Sequence, residues 1–270
     1  METKIALCCI GRLENQYAKE YVNHYRKLGF DKIILCDNNY DGEEHFEEVL
    51  ENDINNGFVD ILDYRNKKVA QIIAYIECYN RYKNEYDWIA FFDMDEFLII
   101  NDGSDIHTFM ERFNGFQCLF LNWMIMTDNG HVYNSHEPLM ERFTTPMDLD
   151  KKVQYNFPEN NHVKSIVKGG LEIINFANPH VPTIPMNCCN AKGEKVDQKP
   201  WTPYDHSVAY LKHFTMKTLE EWINNKRKKG TPDREYKFFI ANNNYDKFFY
   251  INEKTQEKLD YIAKIEKEQS

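Results

Sequence analysis

The chain has 270 residues and a formal net charge of −10, and 42% of its residues are hydrophobic. This length suits one large α/β domain, or one domain with a small annex, and the apolar fraction is sufficient for a core. The negative charge argues against a nucleic-acid-binding protein, because such a surface needs an excess of basic residues. No apolar run approaches the ~18 residues that span a bilayer, and the first one is too short for a signal peptide. We therefore expect a cytoplasmic protein without a transmembrane segment.

The first hundred residues alternate between short apolar runs and amphipathic segments of helical period. The apolar runs predict strands at residues 4–10, 32–36, 58–64 and 88–92. Apolar side chains at helical spacing predict helices at residues 15–28, 43–54 and 69–79. This alternation, with short connections, predicts right-handed crossovers and a mostly parallel, Rossmann-like sheet with helices on both faces.

The second half of the chain is less regular. Its patterns predict strands at residues 116–123, 162–168 and 207–214, a basic-ended helix at 219–229 and a charged terminal helix from about residue 253. Proline- and asparagine-rich stretches between these segments predict loops. We therefore predict one α/β domain over residues 1–270, with a less regular C-terminal half.

Three carboxylates, Asp93, Asp95 and Glu96, lie between two apolar runs in the segment 87–100. A surface turn would explain a single aspartate at this position. Like charges this close repel each other, however, and burying an unpaired carboxylate is costly. Two carboxylates one residue apart at the end of a buried strand are able to grip one divalent ion. The pattern therefore favours a metal site, with a turn as the alternative.

Polar residues also follow the first two predicted strands, at 11–14 and 37–39. The carboxyl ends of parallel strands meet at one edge of a sheet, which is where such sheets bind ligands. No dinucleotide, P-loop, nucleophile-elbow or zinc-protease motif is present in the sequence. A metal at the Asp-x-Asp motif would neutralise a departing nucleoside diphosphate, which is Lewis-acid assistance to a leaving group.

Most of the chain resembles the GT-A glycosyltransferases of the bacterial glycosyl transferase family 2 branch, close to family 92. The resemblance rests on residues 9–39, on the Asp-x-Asp-Glu-Phe run in residues 71–98, and on the His-Phe-Thr-x-Lys-Thr run in residues 210–230. Shorter matches are VKSIV and NPH. Arg12-Leu13-Glu14 stands where the family more often has Lys-Asn-Glu.

The resemblance implies that Asp93 and Asp95 hold Mn²⁺ or Mg²⁺ on the donor diphosphate, with Asp95 the first choice for direct ligation. A late histidine often completes the metal shell in such enzymes, and His213 matches it by position. Its imidazole would favour Mn²⁺, because Mg²⁺ prefers an all-oxygen octahedron. The alternative for His213 is a core histidine with satisfied hydrogen bonds.

Two further groups match positions that contact the nucleotide in the family. Asp37, with Asn38 beside it, would contact the base or ribose, and the alternative is an Asx-turn. Arg12 and Glu14 would reach the uracil or the phosphates, and the alternative is a charge pattern at a helix N-terminus.

Basic residues near the end of the chain are candidates for contact with phosphate. They are Lys217, Lys226 and Arg227, although basic residues at helix ends are usually solvated. His180 would lie near the acceptor or donor sugar, unless it is merely exposed.

An inverting transfer needs a general base for the acceptor hydroxyl. Asp128 follows a predicted strand and is the first candidate, with Glu96 and Asp205 as rivals. The alternative for Asp128 is a role in the turn TDNG.

The resemblance implies a metal-dependent, inverting glycosyltransferase that moves a sugar, with galactose a plausible one, from a UDP-sugar to a saccharide or lipid-linked glycan. Residues 1–100 would bind the donor and residues 101–270 the acceptor, at the inner face of a membrane if the acceptor is a lipid. One alternative is a catalytically degenerate saccharide-binding protein on the same fold. Another is a phosphatase of the haloacid-dehalogenase type, but those enzymes carry Asp-x-Asp after their first strand.

Overall fold

Short runs of buried apolar residues form the strands at the centre of the protein. The computed structural model describes residues 3–152, 158–172, 174–235 and 245–268. Nine strands of this part of the chain form one sheet. They are β1 (Ile5–Gly11), β2 (Lys32–Asp37), β3 (Val59–Asp63), β4 (Trp88–Phe91), β5 (Glu96–Ile100), β6 (Cys118–Ile125), β7 (Val163–Lys168), β8 (Cys188–Cys189) and β9 (Ala209–His213).

The strand order is β3-β2-β1-β4-β7-β6-β9-β5, and β8 pairs with β6. The four strands β3, β2, β1 and β4 run parallel to one another, as the alternation of strands and helices predicts. In the second half, β7 runs antiparallel to both of its neighbours and β5 runs antiparallel to β9. Because β7 lies between β4 and β6, the two halves of the chain share one sheet.

The helices and a short hairpin complete the described structure. The helices are α1 (Asn15–Lys27), α2 (Glu47–Asn55), α3 (Gln71–Tyr82), α4 (Ile106–Met110), α5 (Leu139–Arg142), α6 (Leu219–Trp222), α7 (Tyr245–Ile251) and α8 (Gln256–Glu268). Single 3₁₀ turns lie at Glu111–Phe113 and Glu159–Asn161. The hairpin consists of β10 (Gly230–Thr231) and β11 (Arg234–Glu235). No helix among the described residues is both long enough and apolar enough to cross a membrane.

Helices cover both faces of the sheet, which confirms the predicted α/β arrangement. Alternate residues of β1 point to opposite faces. Leu7 and Cys9 pack in one hydrophobic cluster with residues of α1 and α2, and Ala6 and Cys8 pack in a second cluster with residues of α3. Each face of the sheet is therefore buried under its own layer of helix.

Two segments differ from their predicted form. The apolar residues after the Asp-x-Asp motif form strand β5, so the motif is the tight connection between two strands. The predicted helix at 219–229 begins as α6 and continues as a π-helix over Ile223–Arg227. It ends at Gly230, whose φ of +86° a residue with a side chain rarely adopts.

Gly169 lies where β7 meets the end of α3, and a Cβ atom there would lie 1.9 Å from the carbonyl oxygen of Tyr86. We expect Gly169→Ala to destabilise the protein by about 2–3 kcal/mol, because the backbone must move to relieve the overlap. Gly115→Ala is the matched control, since its Cβ would meet no heavy atom within 4 Å. Neither glycine has a positive φ. Chemical denaturation measures both variants, and equal stabilities would contradict this prediction.

Candidate active site

A cavity of about 450 Å³ opens at the carboxyl ends of β1 and β4. This is the edge at which parallel sheets bind ligands. Its wall includes residues from the loop after β1, the β4–β5 turn, the end of β9 and the C-terminal segment. Its size is that of an ordinary small-molecule site. Residues from both halves of the chain therefore build one site.

The β4–β5 turn presents the predicted carboxylates to different surroundings. The amide of Glu96 donates to the carbonyl oxygen of Asp93 at 3.0 Å, which closes the turn. Asp93 and Asp95 line the cavity, whereas Glu96 is completely buried at the start of β5. The backbone of the motif therefore forms a turn. This turn places the carboxylates of Asp93 and Asp95 at the cavity.

Lys164 lies between two of these carboxylates and is itself completely buried. Its Nζ lies 2.8 Å from Asp93 Oδ1 and 3.7 Å from Glu96 Oε1. Burial raises the pKa of Glu96 well above its usual range, although Lys164 opposes that rise. The two carboxylates in turn raise the pKa of Lys164 despite its burial, so its ammonium stays charged.

Asp93 is also held by two residues of α3. Its Oδ1 accepts hydrogen bonds from Gln71 Nε2 at 2.6 Å and from the Tyr75 hydroxyl at 2.8 Å. Glu96 accepts from Trp123 Nε1 at 2.9 Å and from the amide of Asp93 at 2.9 Å. The inner part of the turn is therefore a hydrogen-bonded network in which Lys164, Gln71, Tyr75 and Trp123 hold the two carboxyl groups.

Asp95 meets His213 and Lys226 in the cavity wall. Its Oδ1 lies 3.5 Å from His213 Nε2, and its Oδ2 lies 3.0 Å from Lys226 Nζ. Burial lowers the pKa of His213, against the opposing effect of Asp95, and so favours the neutral imidazole. Burial alone would raise the pKa of Asp95, but Lys226, followed by His213, holds it well below its usual range. Since His213 is neutral, Lys226 supplies most of that positive charge.

The pair formed by Asp95 and His213 fits a divalent transition metal. A carboxylate oxygen and a neutral imidazole nitrogen 3.5 Å apart are able to share one ion at bond lengths of about 2.0–2.3 Å. The Nδ1 atom of His213 has no hydrogen-bond partner within the described part of the chain. Asp93 is turned toward Lys164 and α3, so the structure brings together two of the three predicted ligands at ligand-sharing distance.

One trio of potential ligand atoms, all within 4.8 Å of one another, occurs among the described residues. It comprises Asp37, His45 and Glu47. It lies outside the cavity wall, and Asp37 already forms an ion pair with Arg65 at 2.7 Å.

Glu14 and Lys217 form a second ion pair in the cavity wall. Lys217 Nζ lies 2.8 Å from Glu14 Oε2, and both residues line the cavity. Lys217 and Leu13, the residue before Glu14, have positive φ angles of 55° and 60°. Such conformations cost about 1–3 kcal/mol each in residues other than glycine and cluster at functional sites. One residue of the pair, Lys217, and the residue next to the other, Leu13, therefore have a strained backbone.

Arg12 also lines the cavity, but its guanidinium is anchored elsewhere. It donates to both carboxylate oxygens of Glu43 at 2.9 and 3.0 Å and to the carbonyl oxygen of Lys229 at 2.8 Å. It also lies 4.0 Å from the centre of the Tyr40 ring. Arg12 therefore ties the loop after β1 to the end of the π-helix.

The loop after β2 supports the cavity wall from behind. Asp37 and Asn38 are buried and do not line the cavity. Asn38 donates to the carbonyl oxygens of Tyr64 and Lys67, and Asp37 accepts from the amide of Asn39 at 2.9 Å. This is the Asx-turn geometry that the sequence offers as the alternative to nucleotide contact.

The three predicted bases lie outside the cavity wall. Asp128 accepts from the amide of Gly130 at 2.9 Å and forms an ion pair with Lys258 of α8, which is the turn role. Glu96 is enclosed by the network described above. Asp205 forms an ion pair with Lys192 on the surface. These placements do not support a role for any of the three as the general base.

The sequence profile of Glycosyltransferase family 92 matches residues 6–239. The match covers most of the chain. The protein belongs to glycosyltransferase family 92. This membership confirms the resemblance noted in the sequence. No curated protein matches this sequence.

Solved structures of TarS from S. aureus are similar to this chain. TarS 1–349 in complex with UDP-GlcNAc aligns with a TM-score of 0.37 and 13% identity, over 49% of this chain and 37% of that chain. TarS 1–349 with UDP gives the same score and identity over 49% and 38%. TarS 1–349 alone gives 0.37 and 11% over 62% and 47%. This chain therefore spans less than half the length of those TarS chains.

Aromatic rings beside His213 also line the cavity. The Trp123 ring lies 4.3 Å from the His213 ring, 5.0 Å from His162 and 5.1 Å from His180, between ring centres. Nδ1 of His180 lies 2.9 Å from the carbonyl oxygen of Val163 and must donate to it, which leaves Nε2 as an acceptor. Burial, followed by Lys164, lowers the pKa of His180 well below its usual range and keeps it neutral.

Sequence reasoning did not identify Lys164, Trp123 or Trp201 as site residues. The available signal for Lys164 was a lysine on the same side of its strand as the apolar Ile166. Nothing in the local sequence distinguished the two tryptophans, because only the fold brings them to the cavity.

We expect Lys164→Met to destabilise the protein by about 3–5 kcal/mol at neutral pH, because it leaves the buried Glu96 and the half-buried Asp93 without their cation. The loss should be smaller at pH 5 than at pH 8. In the folded variant Glu96 retains its proton, whereas in the unfolded chain it ionises above a pKa of ~4.3. Above that value, each further pH unit therefore lowers the free energy of unfolding of the variant by ~1.4 kcal/mol.

Urea denaturation of the variant and the wild type at both pH values measures this difference. Lys168→Met, on the same strand and half-buried, is the matched control and should show little dependence on pH. An equal loss at pH 5 and pH 8 for Lys164→Met would show that the ammonium is not the cation that these carboxylates need.

Proposed function

We propose that this protein is a metal-dependent glycosyltransferase that transfers a hexose from a UDP-sugar to a saccharide acceptor. The observation that carries the proposal is the meeting of Asp95 and His213 at 3.5 Å, about 120 residues apart in sequence, in a cavity that also contains Lys217 and Lys226. A donor pair for a metal beside two ammonium groups suits a ligand with a diphosphate.

Asp95 and His213 would hold the metal, and their donor set favours Mn²⁺ over Mg²⁺. When bound, the metal would supply Lewis-acid stabilisation of the departing nucleoside diphosphate. Asp93 would support the site from behind, because its Oδ1 already accepts from Gln71 and Tyr75.

The lysines of the chain would bind the phosphates directly. Lys226 and Lys217 are now paired with Asp95 and Glu14, which places two ammonium groups in the wall before a ligand arrives. A diphosphate is a better partner than a single carboxylate for an ammonium, because it offers more charge and more acceptor oxygens. The same groups would then stabilise the charge that develops as the sugar–phosphate bond breaks.

The finer features of the proposal rest on the resemblance of the sequence to the family. They are galactose as the donor sugar, inversion at the transferred carbon, and an acceptor in a surface polysaccharide or glycolipid. Asp93, Asp95, His213 and Lys217 lie in the two motifs that carry this resemblance.

A screen of UDP-sugars tests the function. With Mn²⁺ present, we expect one UDP-sugar to be hydrolysed slowly in the absence of an acceptor, and we expect a chelator to stop this reaction. Binding of UDP and Mn²⁺ without any turnover would favour the degenerate saccharide-binding alternative. Turnover that is unaffected by the chelator would overturn metal dependence.

We expect Asp95→Asn to weaken Mn²⁺ binding and to lower donor hydrolysis at least a hundredfold, because an anionic ligand is lost. His213→Ala should likewise weaken Mn²⁺ binding. Calorimetry with Mn²⁺ and UDP measures the binding, and the melting temperature of the metal-free protein shows whether each variant folds. Asp205→Asn, an ion-paired carboxylate outside the cavity, is the matched control. Unchanged Mn²⁺ binding in Asp95→Asn would remove this residue from the site.

Lys226→Met should strengthen Mn²⁺ binding in the absence of nucleotide by about fivefold, because the metal no longer has to displace an ammonium from Asp95 in a partly exposed pair. The same variant should bind UDP more weakly, since it lacks one phosphate contact. Lys228→Met, an exposed neighbour, is the control for the loss of charge. Weaker Mn²⁺ binding in Lys226→Met would show that Lys226 supports the metal rather than competing with it.

A further inference from the structure

One carboxylate of the cavity wall has no partner among the described residues. Six residues of the wall carry a carboxyl group: Glu14, Asp93, Asp95, Glu159, Glu221 and Asp233. Three of them form the ion pairs with lysines described above, and Glu221 and Asp233 pair with Arg142 and Arg234 at 3.3 and 3.0 Å. Within the described part of the chain, only the carboxylate of Glu159 has neither a hydrogen bond nor an ion pair.

Glu159 is accessible from the cavity although most of the residue is buried. Its relative exposure is 7%, but neither carboxylate oxygen is completely enclosed, so solvent in the cavity reaches them. Burial lowers the pKa of Lys247, which lines the same cavity, and Glu159 gives the largest opposing effect. The two side chains form no ion pair within the described structure. There, Glu159 is therefore free to accept a hydrogen bond from a ligand.

The backbone holds Glu159 in a fixed place. The residue begins the 3₁₀ turn Glu159–Asn161, and the side chain of Asn160 accepts a hydrogen bond from the amide of Ile125 at 2.7 Å. The amide of Glu159 donates to the carbonyl oxygen of Lys151 at 3.1 Å. Because Ile125 ends β6, the turn is anchored to the central sheet. A carboxylate anchored in this way needs little reorganisation when a substrate binds.

The contacts from Glu159 to the candidate metal site run through two rings. Nδ1 of His162 lies 3.0 Å from the carbonyl oxygen of Glu159 and must donate to it. The His162 ring lies 5.0 Å from the Trp123 ring, which lies 4.3 Å from the His213 ring, between ring centres. In an inverting displacement the acceptor attacks from the side opposite the departing phosphate, so its base belongs in the same cavity but away from the groups that hold the phosphate. The position of Glu159 meets this requirement.

Two histidines of the same wall, His162 and His180, are also able to accept a proton. Nδ1 of each donates to a backbone carbonyl oxygen, which leaves Nε2. A proton there would create a buried imidazolium, and burial lowers the pKa of both rings. A proton on Glu159 would instead neutralise a charge, which burial favours. Glu159 is therefore better suited to take a proton in this wall.

We propose that Glu159 is the general base that removes the proton from the acceptor hydroxyl. This assignment rests on the proposed function and on its inverting course. A carboxylate oxygen of Glu159 takes the hydroxyl proton while the hydroxyl oxygen forms a bond to the anomeric carbon of the donor sugar. The bond from that carbon to the phosphate oxygen breaks, and its electron pair leaves with UDP. Glu159 then releases the proton to water.

Glu159→Gln keeps the shape of the side chain and removes the base. With Mn²⁺ present, we expect this variant to bind UDP as the wild type does but to hydrolyse the UDP-sugar found in the screen about a hundredfold more slowly, because water must also lose a proton. Its melting temperature should stay close to that of the wild type, since the carboxylate has no described hydrogen bond to lose. Calorimetry measures UDP binding, and the release of UDP measures hydrolysis. Glu141→Gln, an exposed glutamate outside the cavity wall, is the matched control and should behave as the wild type does.

Azide distinguishes a base from a residue that merely supports the cavity wall. Azide is an anionic nucleophile and has no proton to lose, so Glu159→Gln should form the glycosyl azide at least as fast as the wild type. NMR of the glycosyl azide should show the anomeric configuration opposite to that of the donor. An equal loss of rate with water and with azide would make Glu159 a structural residue and overturn the assignment. A glycosyl azide with the configuration of the donor would indicate a two-step transfer, which overturns it as well.

The outcomes separate this proposal from the proposed function. Hydrolysis by Glu159→Gln at the rate of the wild type would overturn the role of Glu159 while leaving the proposed function intact. A similar loss of hydrolysis in Glu141→Gln would show that removal of a negative charge, and not of a base, lowers the rate, which also overturns that role. A wild type that binds no UDP, or that turns over no UDP-sugar with water or azide, would overturn the proposed function and this assignment with it.

Discussion

The ammonium of Lys164 makes the centre of this site possible. Asp93 and Glu96 lie at the junction of two strands, where water does not reach Glu96, and a buried carboxylate without a cation would cost several kcal/mol. Because Lys164 enters from β7, the strand between β4 and β6, its charge arrives from the second half of the chain. The β4–β5 turn is thereby fixed, and with it the direction in which Asp95 faces the cavity.

Two ion pairs in the cavity wall are able to exchange partners when a ligand binds. Without a ligand, Lys226 is paired with Asp95, and Lys217 with Glu14. In the proposed function, the metal would replace Lys226 as the partner of Asp95, and the phosphates would replace the two carboxylates as partners of the lysines. Asp95 and both ammonium groups would then be compensated before and after binding, which avoids the cost of leaving them unpaired.

Two of the five described non-glycine residues with a positive φ lie at the Glu14–Lys217 pair. Leu13 and Lys217 adopt positive φ angles, and the amide of Leu13 donates to the side chain of Asn39 at 2.9 Å. The buried loop after β2 therefore holds the strained loop after β1 in position. Polar residues that follow a strand are able to bind a ligand or to hydrogen-bond a neighbouring loop. Here the loop after β2 hydrogen-bonds the loop after β1.

Local patterning was enough to predict the parallel part of the fold. The period of the apolar residues located β1 to β4 and α1 to α3 within a few residues, because strands and helices bury their faces at different, recognisable spacings. The second half was harder: β5 follows a turn inside a charged motif, and the π-helix at 223–227 has no periodic signal of its own.

The sequence by itself determined that Asp95 follows a buried strand and that His213 ends another, since both facts depend on neighbours along the chain. Only the tertiary structure decided which residues meet. In the fold, Asp93 forms an ion pair with Lys164, Asp37 with Arg65 and Asp128 with Lys258. Asp37 and Asp128 therefore lie outside the cavity wall. The physical reason is that a carboxylate's role depends on the cation within about 4 Å of it. That cation comes from a strand or helix many residues away, which local periodicity does not specify.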